Sequence, residues 1–79
     1  MPARRTPLPE SVLRRRAALG QRLRELRTEA GLSQDQLADR IGMERRSIQR
    51  YESGERDPRY TELLLIADAL GVPVAALVG

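Results

Sequence analysis

Among 79 residues there is no cysteine, no histidine and no lysine. Without His there is no Ser-His-Asp or Cys-His arrangement, without Cys no thiol nucleophile or disulfide, and without Lys no Schiff base or phosphate-loop lysine. Zinc loses its usual ligands as well. No apolar run approaches the ~20 residues of a membrane span, and the arginine-rich start lacks the apolar stretch of a secretory signal. These absences predict a cytoplasmic protein that is not an enzyme and uses neither metal nor cofactor. The length fits one small domain, with no room for a separate ligand-sensing unit.

What is present is arginine, which supplies all 14 basic residues against 11 acidic ones, a net charge of +3. The charge is uneven. Residues 1–16 carry Arg4, Arg5, Arg14, Arg15 and Arg16 against Glu10, a net +4, so residues 17–79 sum to −1. Within that nearly neutral body Arg40, Arg45, Arg46 and Arg50 stand close together with only Glu44 among them. A basic arm and a basic helix suit a polyanionic partner, although such charges also solvate ordinary surfaces.

The hydrophobic pattern has a helical period throughout and no sustained alternation of period two, which predicts an all-α fold. Pro2, Pro7 and Pro9 argue for an extended arm at the start. Val12, Leu19, Leu23, Leu26 and Ala30 then fall near one stripe and Gly31 follows, giving a first helix that begins somewhere within residues 10–18 and ends near Ala30. Ser33 occupies an N-cap position with Gln36 three residues later, and Leu37, Ala38 and Ile41 form one face before Gly42. A third helix spans residues 44–53, and Gly54 to Pro58 make a loop. Tyr60, Leu63, Ile66, Ala67 and Leu70 predict a fourth, apolar helix closed by Gly71, with a last helical turn after Pro73.

Two short helices joined by Gly42-Met43 meet the requirement of a helix-turn-helix for a tight turn that tolerates unusual backbone angles. Ala38, four residues earlier, lets the helices cross closely. On the third helix, with Arg45 set to zero, Gln49 falls at about 40°, Arg46 at about 100° and Arg50 at about 140°. Ile48, at about 300°, and Tyr51, at about 240°, point roughly the other way. One side is therefore core and the other carries long hydrogen-bonding side chains.

The run LSQDQLADRIGMERRSIQRYESGERDP, residues 32–58, resembles the helix-turn-helix of the XRE family, the phage repressor and Cro type. The segment from Leu19 to Arg27 is similar to that family's first helix, and Leu63 to Val72 with Leu77 to its later ones, so the resemblance covers about residues 17–78. It implies a compact four- to five-helix lambda-repressor-like domain over residues 17–79. The resemblance says nothing of the basic N-terminal arm, residues 1–16, for which following DNA phosphates, entering a minor groove and extending the first helix stand as alternatives.

The resemblance also implies roles. The third helix would lie in the major groove of double-stranded DNA, with Arg45, Arg46, Gln49 and Arg50 at base edges, where Arg pairs with guanine and Gln with adenine. Arg45 and Gln49 could instead meet phosphate. Ser33 and Gln34 open the second helix, whose free N–H groups suit a phosphate oxygen, and Ser53 and Arg56 look like further phosphate contacts. Outside the resemblance, the charge of the arm itself suggests that Arg4 and Arg5 meet phosphate irrespective of sequence. Ser33 is equally an N-cap, and Arg56 equally a plain loop charge. Arg27 and Glu52 resemble an ion pair joining the first and third helices. Asp35 and Asp39 read as a solvated helix face.

The sequence departs from the family in the continuous Leu63-Leu64-Leu65-Ile66 run and in the apolar Val74, Leu77 and Val78. One small core cannot bury all of these. A homodimer interface is expected from some of Leu64, Leu65, Val74, Leu77 and Val78, matched to an approximately palindromic operator, with tight packing inside the monomer as the alternative. The reading is thus a small dimeric transcriptional regulator, a repressor in preference to an activator. The same fold serving as a protein-interaction module, such as an antitoxin or adaptor with a protein partner, is the alternative.

Overall fold

A computed structural model describes residues 6–79 and contains five helices: α1 (Glu10–Glu29), α2 (Gln34–Ile41), α3 (Arg45–Glu52), α4 (Tyr60–Leu70) and α5 (Ala75–Val78). No strand occurs among the described residues, and the fold is all-α. The N-cap of α2 follows directly from its sequence: Ser33 Oγ accepts from the Gln36 N–H at 3.1 Å and Gln36 Oε1 accepts from the Ser33 N–H at 2.8 Å. That reciprocal pair satisfies two of the helix's free donors. At the other end Gly42 adopts a left-handed φ of 68°, which caps α2 and turns the chain toward α3.

Each helix contributes one or two side chains to a single core: Leu23 and Leu26 from α1, Leu37 and Ala38 from α2, Ile48 and Tyr51 from α3, Ile66 and Ala67 from α4, and Leu77 from α5. Leu32 adds to it from the loop before α2. The third helix packs against both α1 and α2, while α4 closes the far side against α2 and α5. This arrangement leaves α3 with one whole face in solvent.

Several apolar positions behave differently from their periodicity. Val12 falls on the apolar stripe of α1 but is exposed, as is its neighbour Leu13, in the first turn of the helix, and Val12 lines an open cleft between α1 and α5. Ala30 is the exposed C-cap of α1. Tyr60, at the first position of α4, is also exposed, since the core contact of that helix begins one turn later. Leu77 corrects the expected interface in the other direction: at 4% exposure it is a core residue, drawn in by α5 folding back on α1 and α4. Val74 is half-buried against the same core and offers little free surface.

One close approach has no counterpart in the hydrophobic pattern. Gly20 sits in the middle of α1 and is buried where α1 crosses the end of α3, and a Cβ there would run into the backbone carbonyls of Tyr51 and Glu52. The missing side chain sets the distance between α1 and α3.

Candidate nucleic-acid interface

The solvent face of α3 presents Arg45, Arg46 and Gln49, all exposed, with Arg50 half-buried beside them. Behind them Ile48 and Tyr51 anchor the helix in the core. Arg45 and Arg46 form no ion pair among the described residues, and the first turn of α3 holds no acidic residue. This placement opposes helix stability. The N-terminal end of a helix carries a partial positive charge, so each cation there costs a few tenths of a kcal/mol, about 0.3–1. Two exposed arginines at that end concentrate positive potential on one spot of the surface, which is what an anionic partner requires.

The base of the site is held by one carboxylate. Glu52, the last residue of α3, accepts from Arg27 Nε at 2.6 Å, from Arg27 Nη2 at 3.0 Å and from Gln34 Nε2 at 3.1 Å. Arg27 Nη1 donates in turn to the Leu32 carbonyl at 2.7 Å. With side-chain exposures of 12% for Arg27 and 6% for Glu52, this bidentate pair is largely out of solvent and ties α1, α2 and α3 together. The hydrogen bonds to Glu52 raise the Arg27 pKa above its ordinary value, against the lowering effect of burial. Gln34 therefore has one amide hydrogen committed to Glu52 and one free.

Ser33, Gln34, Gln49 and Ser53 line a shallow cleft between α1, the start of α2 and the end of α3. Arg24 lines it too, an exposed cation on α1 that the sequence reading passed over. Its signal was available, since Arg24 lies one turn before Arg27 and so on the same side of α1. The Ser53 hydroxyl donates to the Arg50 carbonyl at 3.1 Å, and Arg56 is exposed in the following loop. Arg4 and Arg5 lie outside the described residues. Across the molecule Leu64 and Leu65, at 43% and 44% exposure, form an apolar patch with Tyr60 on α4, and Val78 is half-exposed on α5. Leu77, a core residue, does not join it.

A helix-turn-helix family profile matches residues 23–77, well over half of the chain and spanning α2, α3 and α4. The chain belongs to the XRE-type helix-turn-helix family. This helix-turn-helix protein is 45% identical over 58 residues to an uncharacterized transcriptional regulator in the ATPase CF(0) region of Rhodospirillum rubrum, which covers 73% of this chain and 54% of the relative. It is 36% identical over 61 residues to the immunity repressor protein of Bacillus phage phi105, covering 77% of this chain and 42% of the repressor. The chain thus spans about half the length of these curated relatives.

Among solved structures, the restriction-modification controller protein C.AhdI from Aeromonas hydrophila is similar with a TM-score of 0.76 and 39% identity, over 85% of this chain and 97% of that one. The clp gene regulator ClgR from C. glutamicum gives a TM-score of 0.75 at 28% identity, over 91% and 86% of the two chains. Fold and relatives are those of DNA-binding transcriptional regulators, not of enzymes. No helix among the described residues is long and apolar enough to cross a membrane.

Proposed function

We propose that this helix-turn-helix protein is a small homodimeric regulator that binds double-stranded DNA in a sequence-specific way and represses by occupying promoter DNA. The observation that carries the reading is the α3 face: Arg45 and Arg46 stand exposed and unpaired at the end of the helix where they cost stability. A face of that kind fits the major groove, with Arg45, Arg46 and Arg50 reading guanine and Gln49 reading adenine. Ser33, Gln34, Ser53 and Arg56 then follow the phosphates around the cleft, and Arg4 and Arg5 add sequence-independent contacts. The site of action is the cytoplasm, at the nucleoid.

The apolar patch of Leu64 and Leu65, with Val78, supports a second copy as partner. Two recognition helices would enter successive major grooves about 34–36 Å apart, on an approximately palindromic operator. The same patch favours a second reading, in which an antitoxin or adaptor of this fold grips another protein through α4.

Selection from a random duplex library near physiological salt tests the proposal, because specificity ratios separate a regulator from a merely basic protein. Recovery of a palindromic motif is the expected outcome. A library that returns no motif would overturn the reading and leave the protein-interaction module.

A further inference from the structure

Arg50 is set apart from the other arginines of the α3 face. Its side chain is 32% exposed, and its Nε lies 3.8 Å from Oε2 of Glu55, which is itself 67% exposed. The path of the chain after α3 builds this contact. Gly54 takes a φ of 76° and turns the backbone back, so that the N–H groups of Glu55 and Arg56 both donate to the Arg50 carbonyl, at 3.0 and 3.2 Å. The Glu55 N–H also reaches the Ser53 hydroxyl at 3.4 Å. Glu55 is thereby fixed at its backbone one turn beyond Arg50, and the two share a shallow depression with Arg46 and Gln49.

A carboxylate on this surface is costly if the surface meets DNA, because it repels phosphate and lowers the positive potential that steers binding. Affinity alone would favour a neutral or basic residue at this position. What a carboxylate offers is orientation. A guanidinium is a planar fork of five N–H donors. A negative charge beside Nε restrains the rotation of that fork while leaving its Nη1 and Nη2 edge outward, and that edge pairs with guanine N7 and O6.

We infer that Glu55 is a specificity-determining positioning residue, which holds Arg50 in the orientation that reads one guanine at the expense of sequence-independent affinity. The inference rests on the reading of α3 as a base-reading helix, and the experiment separates the two. The full chain is measured against its selected operator, every single-base variant of it, and random-sequence duplex. Arg50→Ala first locates the Arg50 base pair as the position where discrimination, roughly tenfold or more in the unsubstituted protein, disappears.

Glu55→Gln is then expected to lower discrimination at that same base pair by about threefold or more, while binding to random duplex stays equal or tightens. In the Arg50→Ala background the same change should shift all sequences together and alter no single position. Tighter binding of Glu55→Gln to every sequence, with the preference at the Arg50 base pair intact, would overturn the inference while leaving the base-reading helix in place. If Arg50→Ala leaves every positional preference intact, Arg50 reads no base and both ideas fall. Since Glu55 is exposed, its replacement should leave the melting temperature unchanged, so that a loss of discrimination is not a loss of fold.

Discussion

Helices α3 and α4 bury the same number of residues in the core, Ile48 and Tyr51 from one, Ile66 and Ala67 from the other, yet their outer faces are opposites. The outer face of α3 is arginine and glutamine, and that of α4 carries Tyr60, Leu64 and Leu65 beside Thr61 and Asp68. Folding demands the inner faces and is indifferent to the outer ones within wide limits. Where an outer face departs from what stability prefers, as two cations at a helix N-terminus and a pair of half-exposed leucines both do, the departure points to a partner. Under the proposed function, the two chemically opposite departures on two helices serve two different partners.

The sharpest break between inner and outer contributions is at Glu52. Glu52→Ala removes the shared acceptor of Arg27 and Gln34 and leaves a largely buried guanidinium without its counter-charge. The expected cost is about 3–5 kcal/mol in denaturant unfolding. For a chain of this size such a loss approaches the whole folding free energy. Leu64→Ala, on the outer face of α4, should cost under about 1 kcal/mol in the monomer. Comparable losses for the two would mean that α4 has no free face.

Gly20→Ala comes next. The added methyl meets backbone carbonyls, which cannot rotate aside, so α1 and α3 must separate, at about 1–3 kcal/mol. The same substitution at an unencumbered mid-helix glycine would stabilise by about 1 kcal/mol, which makes the sign of the change the measurement.

Two further substitutions test whether the outer faces serve separate partners. Arg46→Ala should lose about 1–3 kcal/mol of discrimination at one base pair per half-site and leave the oligomeric state unchanged in sedimentation. Leu65→Asp should produce monomer and weaken operator binding through lost dimerisation, without altering which bases are preferred. If Arg46→Ala weakened binding to all sequences alike, its contact would be with phosphate.

Much of this architecture is legible in the chain because the signals are local. Ser33 with Gln36, Gly42 after Ile41, and the three- and four-residue spacing of Leu63, Ile66, Ala67 and Leu70 each announce an element from its own residues. The shared face of Arg45, Arg46 and Gln49 follows from helical geometry alone. What the pattern does not carry is which neighbour arrives where. Val12 and Leu77 are both apolar residues on helical stripes, yet one is exposed and the other is core, because α5 folds back on α1 and α4 and carries Leu77 inward. Gly20 could have been flagged, since a mid-helix glycine is costly and usually has a packing reason. The Glu55 contact with Arg50 depends on the backbone path through Gly54, and no periodicity encodes it.

The smallest expected effect tests a polar link between α3 and α4. The Tyr51 hydroxyl donates to Glu62 Oε1 at 3.1 Å, and the same oxygen accepts from the Arg59 N–H at 2.7 Å, so α3 is tied to the first turn of α4. Burial, reinforced by the hydrogen bond to the Glu62 carboxylate, raises the Tyr51 pKa above the usual tyrosine value. A raised folded-state pKa means that the folded protein holds this proton more tightly than the unfolded chain. The resulting stability is fully present below the ordinary tyrosine pKa, about 10, and is lost as pH rises through the higher folded value. The sequence makes the measurement clean, since it holds no lysine and no cysteine to titrate beside Tyr51 in that alkaline window. Tyr51→Phe keeps the ring in the core and should cost about 1 kcal/mol near neutral pH through the lost hydrogen bond. It should also remove most of the decline in stability above pH about 10. An unchanged alkaline slope in Tyr51→Phe would mean that the hydroxyl does not couple α3 to α4, and that the two helices are joined by apolar packing alone.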